Sequence, residues 1–269
     1  MTAPRSTATF DPGTVTVTRE GAIATVALDR PDKLNALTRS MWRELGAAVD
    51  ALGAAADLRC IVVRGAGERA FSPGNDIGEF ERERSNSGQA REYGAVMHAA
   101  LRSLDACPLP IVAEIHGICV GGGLEIAALC DLRICGEGSR FGAPIRNLGL
   151  VMAHAEMAPL LRLAGYAATL EILLEGRIFD AAEALRKGLV TRVVADADVA
   201  AEALATAQRI AGGAPWVARW HKKFARRLRD ATPLTDDEID EAFDCFDTAD
   251  FREGCAAFLA RRVPRFDGR

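Results

Sequence analysis

At 269 residues, 49% apolar and 26% charged, the chain has the balance of an ordinary globular protein. It is long enough to bury about three quarters of its unfolded surface. That excludes collagen-like, disordered and mini-protein classes, and one domain of roughly 200 residues with a smaller attached element fits the length. The net charge of −4, from 33 basic and 37 acidic residues, lacks the basic excess of nucleic-acid binders.

In chain order, the small and polar residues 1–12 read as a disordered N-terminus. Val15–Arg19 and Ile23–Leu28 read as a hairpin about Gly21. Thr38 caps a helix to about Leu52, with Met41, Leu45, Val49 and Leu52 on one face. Cys60–Arg64 is a buried strand, followed by breaker-rich loops at Gly65–Gly67 and Phe71–Asp76. The polar run Glu79–Gln89 reads as the mobile part of the main body, and a helix follows from about Glu92 to Leu104. Ile111–Ile115 is a strand, Val120–Gly123 turns into a helix ending at Leu129, and Leu132–Cys135 and Ser139–Phe141 are short strands.

From about Ala155 the pattern is helical, with candidate helices at 155–164, 167–174, 181–187, 199–211, 215–229, 235–246 and 250–262. The chain is thus an α/β core with a helical C-terminal region. The one dense basic run, Lys222–Lys223 with Arg226, Arg227 and Arg229, spreads around a helix as a solvated face or a phosphate site.

Seven cysteines, none in a CxxC pair, and four scattered histidines give no metal spacing; a reducing, cytoplasmic setting is the simplest expectation. Met1–Phe10 lacks the apolar core of a secretory signal, and no apolar stretch reaches the ~20 residues that span a bilayer, so no membrane is expected.

Two loops are suited to chemistry. Phe71-Ser72-Pro73-Gly74-Asn75-Asp76 follows a strand, where open α/β sheets place ligands, and Gly74 lets backbone approach closely. His116-Gly117-Ile118-Cys119-Val120-Gly121-Gly122-Gly123-Leu124-Glu125 opens a helix with bare N–H groups and its dipole behind them. That arrangement suits an oxyanion or a phosphate, though such a turn is also common as plain structure. Glu125 lies between a dipole that favours the carboxylate and burial that favours the acid, which makes it an acid/base candidate as well as a dipole partner.

These two loops together resemble the enoyl-CoA hydratase/isomerase (crotonase) superfamily. Leu28-Asp29-Arg30-Pro31-Asp32-Lys33-Leu34-Asn35-Ala36-Leu37, Phe141-Gly142-Ala143-Pro144, and Arg252-Glu253-Gly254 with Phe258, Arg261 and Arg262 match further signatures in order, so the likeness runs from about residue 13 to 268. The resemblance implies a crotonase-like spiral of ββα units over 13–200 and a helical trimerisation region over 201–269. It implies a homotrimer, or a hexamer made of two trimers, acting on an acyl-CoA or enoyl-CoA thioester. No metal or separate cofactor is implied, since coenzyme A enters with the substrate, and neither nucleic acid nor membrane is an expected partner.

By position, the backbone N–H groups of Asn75 and Gly122 form an oxyanion hole for a thioester enolate. Lys33, Leu34, Ala36, Gly74, Asp76 and Ile77 match the coenzyme A side, with Asp76 binding nearby amides. Glu125 matches the first of the two glutamates with which hydratases of this family add water. The second falls on Ile145, which has no carboxyl, and an isomerase carboxyl position falls near Ala153. His154 and Glu156 stand next to it as candidate catalytic replacements or as the solvent side of a helix start. Ile145, Tyr93 and His98 are candidate acyl-pocket residues. Arg146 reads as a surface residue or a partner for an acyl carboxylate or Glu125, and Glu114, set among apolar residues, needs a structural partner. The expected activity is a hydratase-like lyase; the alternatives are a double-bond isomerase, another acyl-CoA hydrolase or decarboxylase, and a non-catalytic acyl-CoA binder.

Overall fold

The computed structural model describes residues 13–269. The segment read as a disordered N-terminus, residues 1–12, lies outside them.

The hairpin β1 (Thr14–Glu20) and β2 (Ile23–Asp29) opens the described chain, and α1 (Arg39–Gly53) follows with Thr38 accepting from the Met41 N–H as its cap. Then come β3 (Cys60–Gly65), β4 (Ala70–Ser72), α2 (Phe80–Glu83) and α3 (Ser87–Ala106). The next turns are β5 (Ile111–Ile115), β6 (Ile118–Val120) and α4 (Gly122–Leu129), then β7 (Leu132–Gly136), β8 (Arg140–Gly142) and α5 (His154–Glu175). The chain closes with β9 (Phe179–Asp180), α6 (Ala181–Arg186), β10 (Arg192–Val194), α7 (Val199–Ala211), α8 (Pro215–Arg227), α9 (Asp236–Asp240) and α10 (Ala249–Leu259).

The strands form two sheets, ordered β1-β2-β3-β5-β7-β10 and β4-β6-β8-β9. Each turn gives one strand to each sheet, β3 then β4, β5 then β6, β7 then β8, and within each sheet these successive strands pair in parallel. This stepping is a spiral of ββα units, and it brings the chain ends of β4 and β6 side by side. In the larger sheet alternate residues divide between two layers. Val26, Ile61, Val63, Ala113 and Ile115 join the main core with α1 and α3, while Ile23, Cys60, Val62, Val112 and Ile134 pack under Ala203 and Ala207 of α7.

Several elements differ from the sequence-based expectation. Phe71 and Ser72 belong to β4 rather than to a loop, and β9 and β10 lie inside the stretch read as helical. Both are two- or three-residue strands that exist only because a sheet edge is there to pair with. Within the polar run Glu79–Gln89, Glu79 is buried and accepts from the Arg39 N–H, and Asn86 caps α3, which begins at Ser87, five residues before the expected start, while Glu81, Arg82 and residues 85–88 are exposed. Helix α5 is long and apolar enough by composition to cross a bilayer, contrary to the reading of the apolar stretches. Gly165, at φ 77° and ψ 172°, breaks it at the expected boundary, and its residues Leu160 and Ile172 are buried in the core.

The basic run at the end of α8 is divided: Lys222 is buried and Arg226 and Arg227 are half-buried, while Lys223 and Arg229 remain on the solvated face. Lys222 Nζ donates to Leu109 O and pairs with Asp131 Oδ2, both at 2.6 Å. Arg226 donates to Cys107 O at 2.7 Å, Arg229 to Asp105 at 3.0 Å, Lys223 to Glu241 at 2.5 Å and Arg227 to Glu238. Asp131 also accepts from the Ile111 N–H at 2.7 Å, so Lys222 ties α8 to the start of β5. Removing a cation whose side chain is 7% exposed, beside a third-exposed carboxylate, lies between the surface and buried cases. Lys222→Met is therefore expected to destabilise the fold by about 1–3 kcal/mol. A denaturant midpoint equal to that of the parent would show that α8 is not held by this tie.

Candidate active site

The two glycine-bearing loops meet at the C-terminal ends of β4 and β6, the end where parallel sheets receive ligands. Gly74 sits at φ 92°, and a Cβ there would come within 2.5 Å of the Gly122 nitrogen, so only glycine allows the loops to touch. Two bonds fix the first loop: Leu37 N donates to Gly74 O and Asp76 N donates to Leu37 O, each at 2.8 Å. A trans peptide is planar, with its N–H opposite its C=O. Binding Gly74 O to Leu37 therefore turns the Asn75 N–H the other way. Gly122 is the first residue of α4, whose opening N–H groups have no partner within the helix. Neither the Asn75 nor the Gly122 N–H donates to an acceptor among the described residues. Both residues line one cavity.

Side chains behind the first loop hold it in place. The Trp42 indole N–H donates to Asn75 Oδ1 at 2.6 Å, and the Tyr93 hydroxyl lies 3.4 Å from that oxygen and 3.2 Å from Glu79 Oε2. Ser72 Oγ donates to Asn35 O at 2.8 Å and accepts from the Gly74 N–H at 3.0 Å. Asp76 pairs with Arg30 at 2.7 Å and accepts from the Gly78 N–H at 2.9 Å. Burial would raise the Asp76 carboxyl, but these two bonds hold it below the usual range. Leu34 and Asn35, at φ 55° and 64°, bend the adjoining loop so that Asn35 bonds both Ala66 O and Ala70 O.

The cavity is walled by Pro73, Ile77, Phe80, Val120 and Gly121, and by Ile145, Leu148, Leu150 and Val151 on the far side. Two carboxyls and one guanidinium enter it: Glu125, Glu156 and Arg84. Glu125 is 4% exposed and its Oε2 has no hydrogen-bond partner. Burial, and next the charge of Glu156, push its pKa up to about 8, against a smaller lowering by Arg84. Such a carboxyl is mostly protonated at neutral pH and free to give its proton away. Glu156 accepts from His98 Nε2 at 2.7 Å and from the Ala153 N–H at 3.0 Å. Among the described residues, no group of three or more His, Cys, Asp or Glu is placed to hold a metal ion.

The residues singled out from the sequence separate into groups. Asn75, Gly122, Glu125, Ile145, Glu156 and Ile77 line the cavity, with Gly74 directly behind it. His154 does not enter it: it is exposed at the start of α5, two residues from Glu156 and on another face. Tyr93 and His98, expected in the acyl pocket, stand behind its wall instead, Tyr93 on Asn75 and His98 on Glu156. Lys33, Leu34 and Ala36 lie outside the cavity; Ala36 O accepts from Arg30, which joins that loop to Asp76. Arg146 points away and donates to the carbonyls of Leu174 and Glu175. Glu114 has its structural partners in Arg64 at 3.4 Å and His116 at 3.2 Å.

Sequence reasoning missed Arg84, Phe80 and Trp42. Trp42 sits beside the apolar stripe Met41, Leu45, Val49 and Leu52, so the pattern shows it as core but not as a donor to Asn75.

A protonated Glu125 can be observed directly. Infrared difference spectra between about pH 6 and pH 10 are expected to show one carboxylic acid signal lost with a midpoint near pH 8 and absent in Glu125→Gln. A parent protein with no carboxyl titrating above about pH 6 would contradict the burial argument.

Comparison with known proteins agrees with this architecture. The enoyl-CoA hydratase/isomerase family model matches residues 18–269. A Rhizobium meliloti protein described as a probable enoyl-CoA hydratase is 35% identical over 95% of this chain and 98% of its own length. The short-chain-enoyl-CoA hydratase of Clostridium acetobutylicum is 31% identical over 92% and 95%. The crystal structure of an enoyl-CoA hydratase/carnithine racemase from Magnetospirillum magneticum superposes with a TM-score of 0.94 at 50% identity, covering 97% of both chains.

Proposed function

The chain belongs to the enoyl-CoA hydratase/isomerase family, the crotonase superfamily, and we propose that it adds water across the double bond of a 2-enoyl-CoA thioester. The observation that carries this reading is the presence of two carboxyls, Glu125 and Glu156, in one cavity with the unpaired N–H groups of Asn75 and Gly122. Hydration needs a proton for one carbon and a base for the attacking water. Ile145 leaves the usual place of the second carboxyl empty, and Glu156 reaches the same cavity from the first turn of α5.

In this mechanism the thioester oxygen accepts from the Asn75 and Gly122 N–H groups. Negative charge that builds on it as water attacks is met by two donors already aimed and by the dipole of α4, so little reorganisation is needed. A donor of this kind is worth about 10²–10³ in rate. Glu156, held by His98 and the Ala153 amide, takes the proton of the attacking water as oxygen bonds to the β carbon. Glu125 gives its proton to the α carbon. One proton enters and one leaves, so exchange with solvent restores both carboxyls. Their environments divide the roles: burial and the neighbouring Glu156 keep Glu125 neutral and able to donate a proton, while Glu156 is held by two hydrogen-bond donors.

We also infer a homotrimer or a hexamer of two trimers. Phe243, Phe246, Phe258, Leu259 and Val263 are exposed in the C-terminal region, more apolar surface than a lone protomer usually leaves to water. Light scattering at three or six chain masses supports this; a single chain mass overturns it.

The activity is tested with purified protein and a panel of 2-enoyl- and 3-enoyl-CoA thioesters, read by mass and chromatography. Gain of one water by a 2-enoyl-CoA is expected. Glu125→Gln and Glu156→Gln are each expected to lower kcat by about 10²-fold or more. A product of unchanged mass, formed from either class and insensitive to Glu156→Gln, would replace hydration by double-bond isomerisation with Glu125 alone. If all thioesters stay intact, both readings fall.

A further inference from the structure

Among the described residues, one cation lines the cavity, and it is unspent. The Arg84 guanidinium makes no hydrogen bond or ion pair with another described side chain. Its acidic neighbours are already engaged. Glu83 pairs with Arg39 at 3.4 Å, Glu79 accepts from the Arg39 amide and the Tyr93 hydroxyl, and Glu156 accepts from His98 and the Ala153 amide. Glu125 is mostly protonated at neutral pH. Arg84 is instead held by aromatic faces, 4.5 Å from the Phe80 ring centroid and 5.0 Å from that of Tyr93. A guanidinium resting on rings keeps its edge donors free, in the fork that matches a carboxylate. It lines the same cavity as Glu125.

We propose that Arg84 selects acyl groups that end in a carboxylate, so that the preferred substrate is the CoA monothioester of an unsaturated dicarboxylic acid. This rests on the enoyl-CoA reading above and names the substrate class for it. The other walls, Ile145, Leu148, Leu150 and Val151, are apolar and suit the carbon chain between thioester and carboxylate. The cost of leaving Arg84 half-buried and unpaired is removed when that carboxylate arrives, whereas a plain alkyl chain leaves the cost in place.

The test is a calorimetric titration of the full chain with three unreactive ligands: coenzyme A, pentanoyl-CoA and 4-carboxybutanoyl-CoA. The last two have equal carbon counts and differ in the terminal carboxylate. The carboxylated ligand is expected to bind about 10–100-fold more tightly than pentanoyl-CoA. Arg84→Gln is expected to erase that preference while changing the affinities for coenzyme A and pentanoyl-CoA by less than about twofold, and Arg84→Lys to keep part of it. Unchanged affinity for coenzyme A also reports that the variant is folded. Equal binding of the two acyl ligands by the parent would overturn the proposal. So would an Arg84→Gln variant that loses affinity for all three ligands alike, because the anion recognised would then lie in coenzyme A. If the preference holds while neither but-2-enoyl-CoA nor its carboxylated counterpart is hydrated, the hydration reading fails and the selectivity stands. If but-2-enoyl-CoA is hydrated and there is no preference, the selectivity fails and the hydration reading stands.

Discussion

The close approach of Gly74 to Gly122 is the constraint on which the rest of the site depends. Two parallel strands, β4 and β6, end side by side, and the backbone leaving one must touch the backbone leaving the other. Because Gly74 O is tied to Leu37, peptide planarity leaves the Asn75 N–H no direction but away from that bond. The Gly122 N–H is free because it begins a helix. Much of the surrounding structure keeps this pair of loops where it is: Trp42 and Tyr93 on Asn75, Ser72 beneath Gly74, and Arg30 on Asp76. The chemistry proposed for the site uses main-chain groups, so it does not depend on the side chain at position 75. The asparagine side chain is occupied elsewhere, by the indole of α1.

Around these amides the cavity is organised by charge. Glu125 has no hydrogen-bond partner for one buried oxygen and sits beside a second carboxyl, so it holds its proton. Glu156 is fixed by two donors, and Arg84 is held by rings rather than by an acid. A buried acid, a fixed carboxylate and an unspent guanidinium in one apolar-walled space form a graded set. The three divide the proposed chemistry among them: the acid delivers a proton, the carboxylate removes one, and the guanidinium recognises the far end of the acyl group.

Much of this was legible in the sequence, for physical reasons that differ by residue. The hairpin, the Thr38 cap and the strand β5 follow from local pattern, and the structure has them where the pattern put them. The two glycine loops were legible because backbone that must approach a ligand or another loop has few residue types to choose from. Strands β9 and β10 were not legible, since two or three residues carry no periodicity and gain their form from a neighbour. Lys222 looked like solvent-facing charge, as its neighbours Lys223 and Arg229 are, because no local signal records that Asp131 and Leu109 lie beneath it. His154 and Glu156 could not be separated by position alone. Two residues on a helix differ by roughly half a turn, so when one faces the cavity the other faces away. Arg84 was hidden for the opposite reason: a charged run reads as mobile surface until Phe80 and Tyr93 are seen to hold it.

The most direct test of the proposed chemistry is a crystal structure of the protein with a non-reactive acyl-CoA bound. The thioester oxygen is predicted to lie about 2.7–3.1 Å from both the Asn75 and the Gly122 nitrogens, with its α carbon facing Glu125. A thioester oxygen bonded elsewhere, with those two N–H groups still unengaged, would contradict the mechanism at its centre.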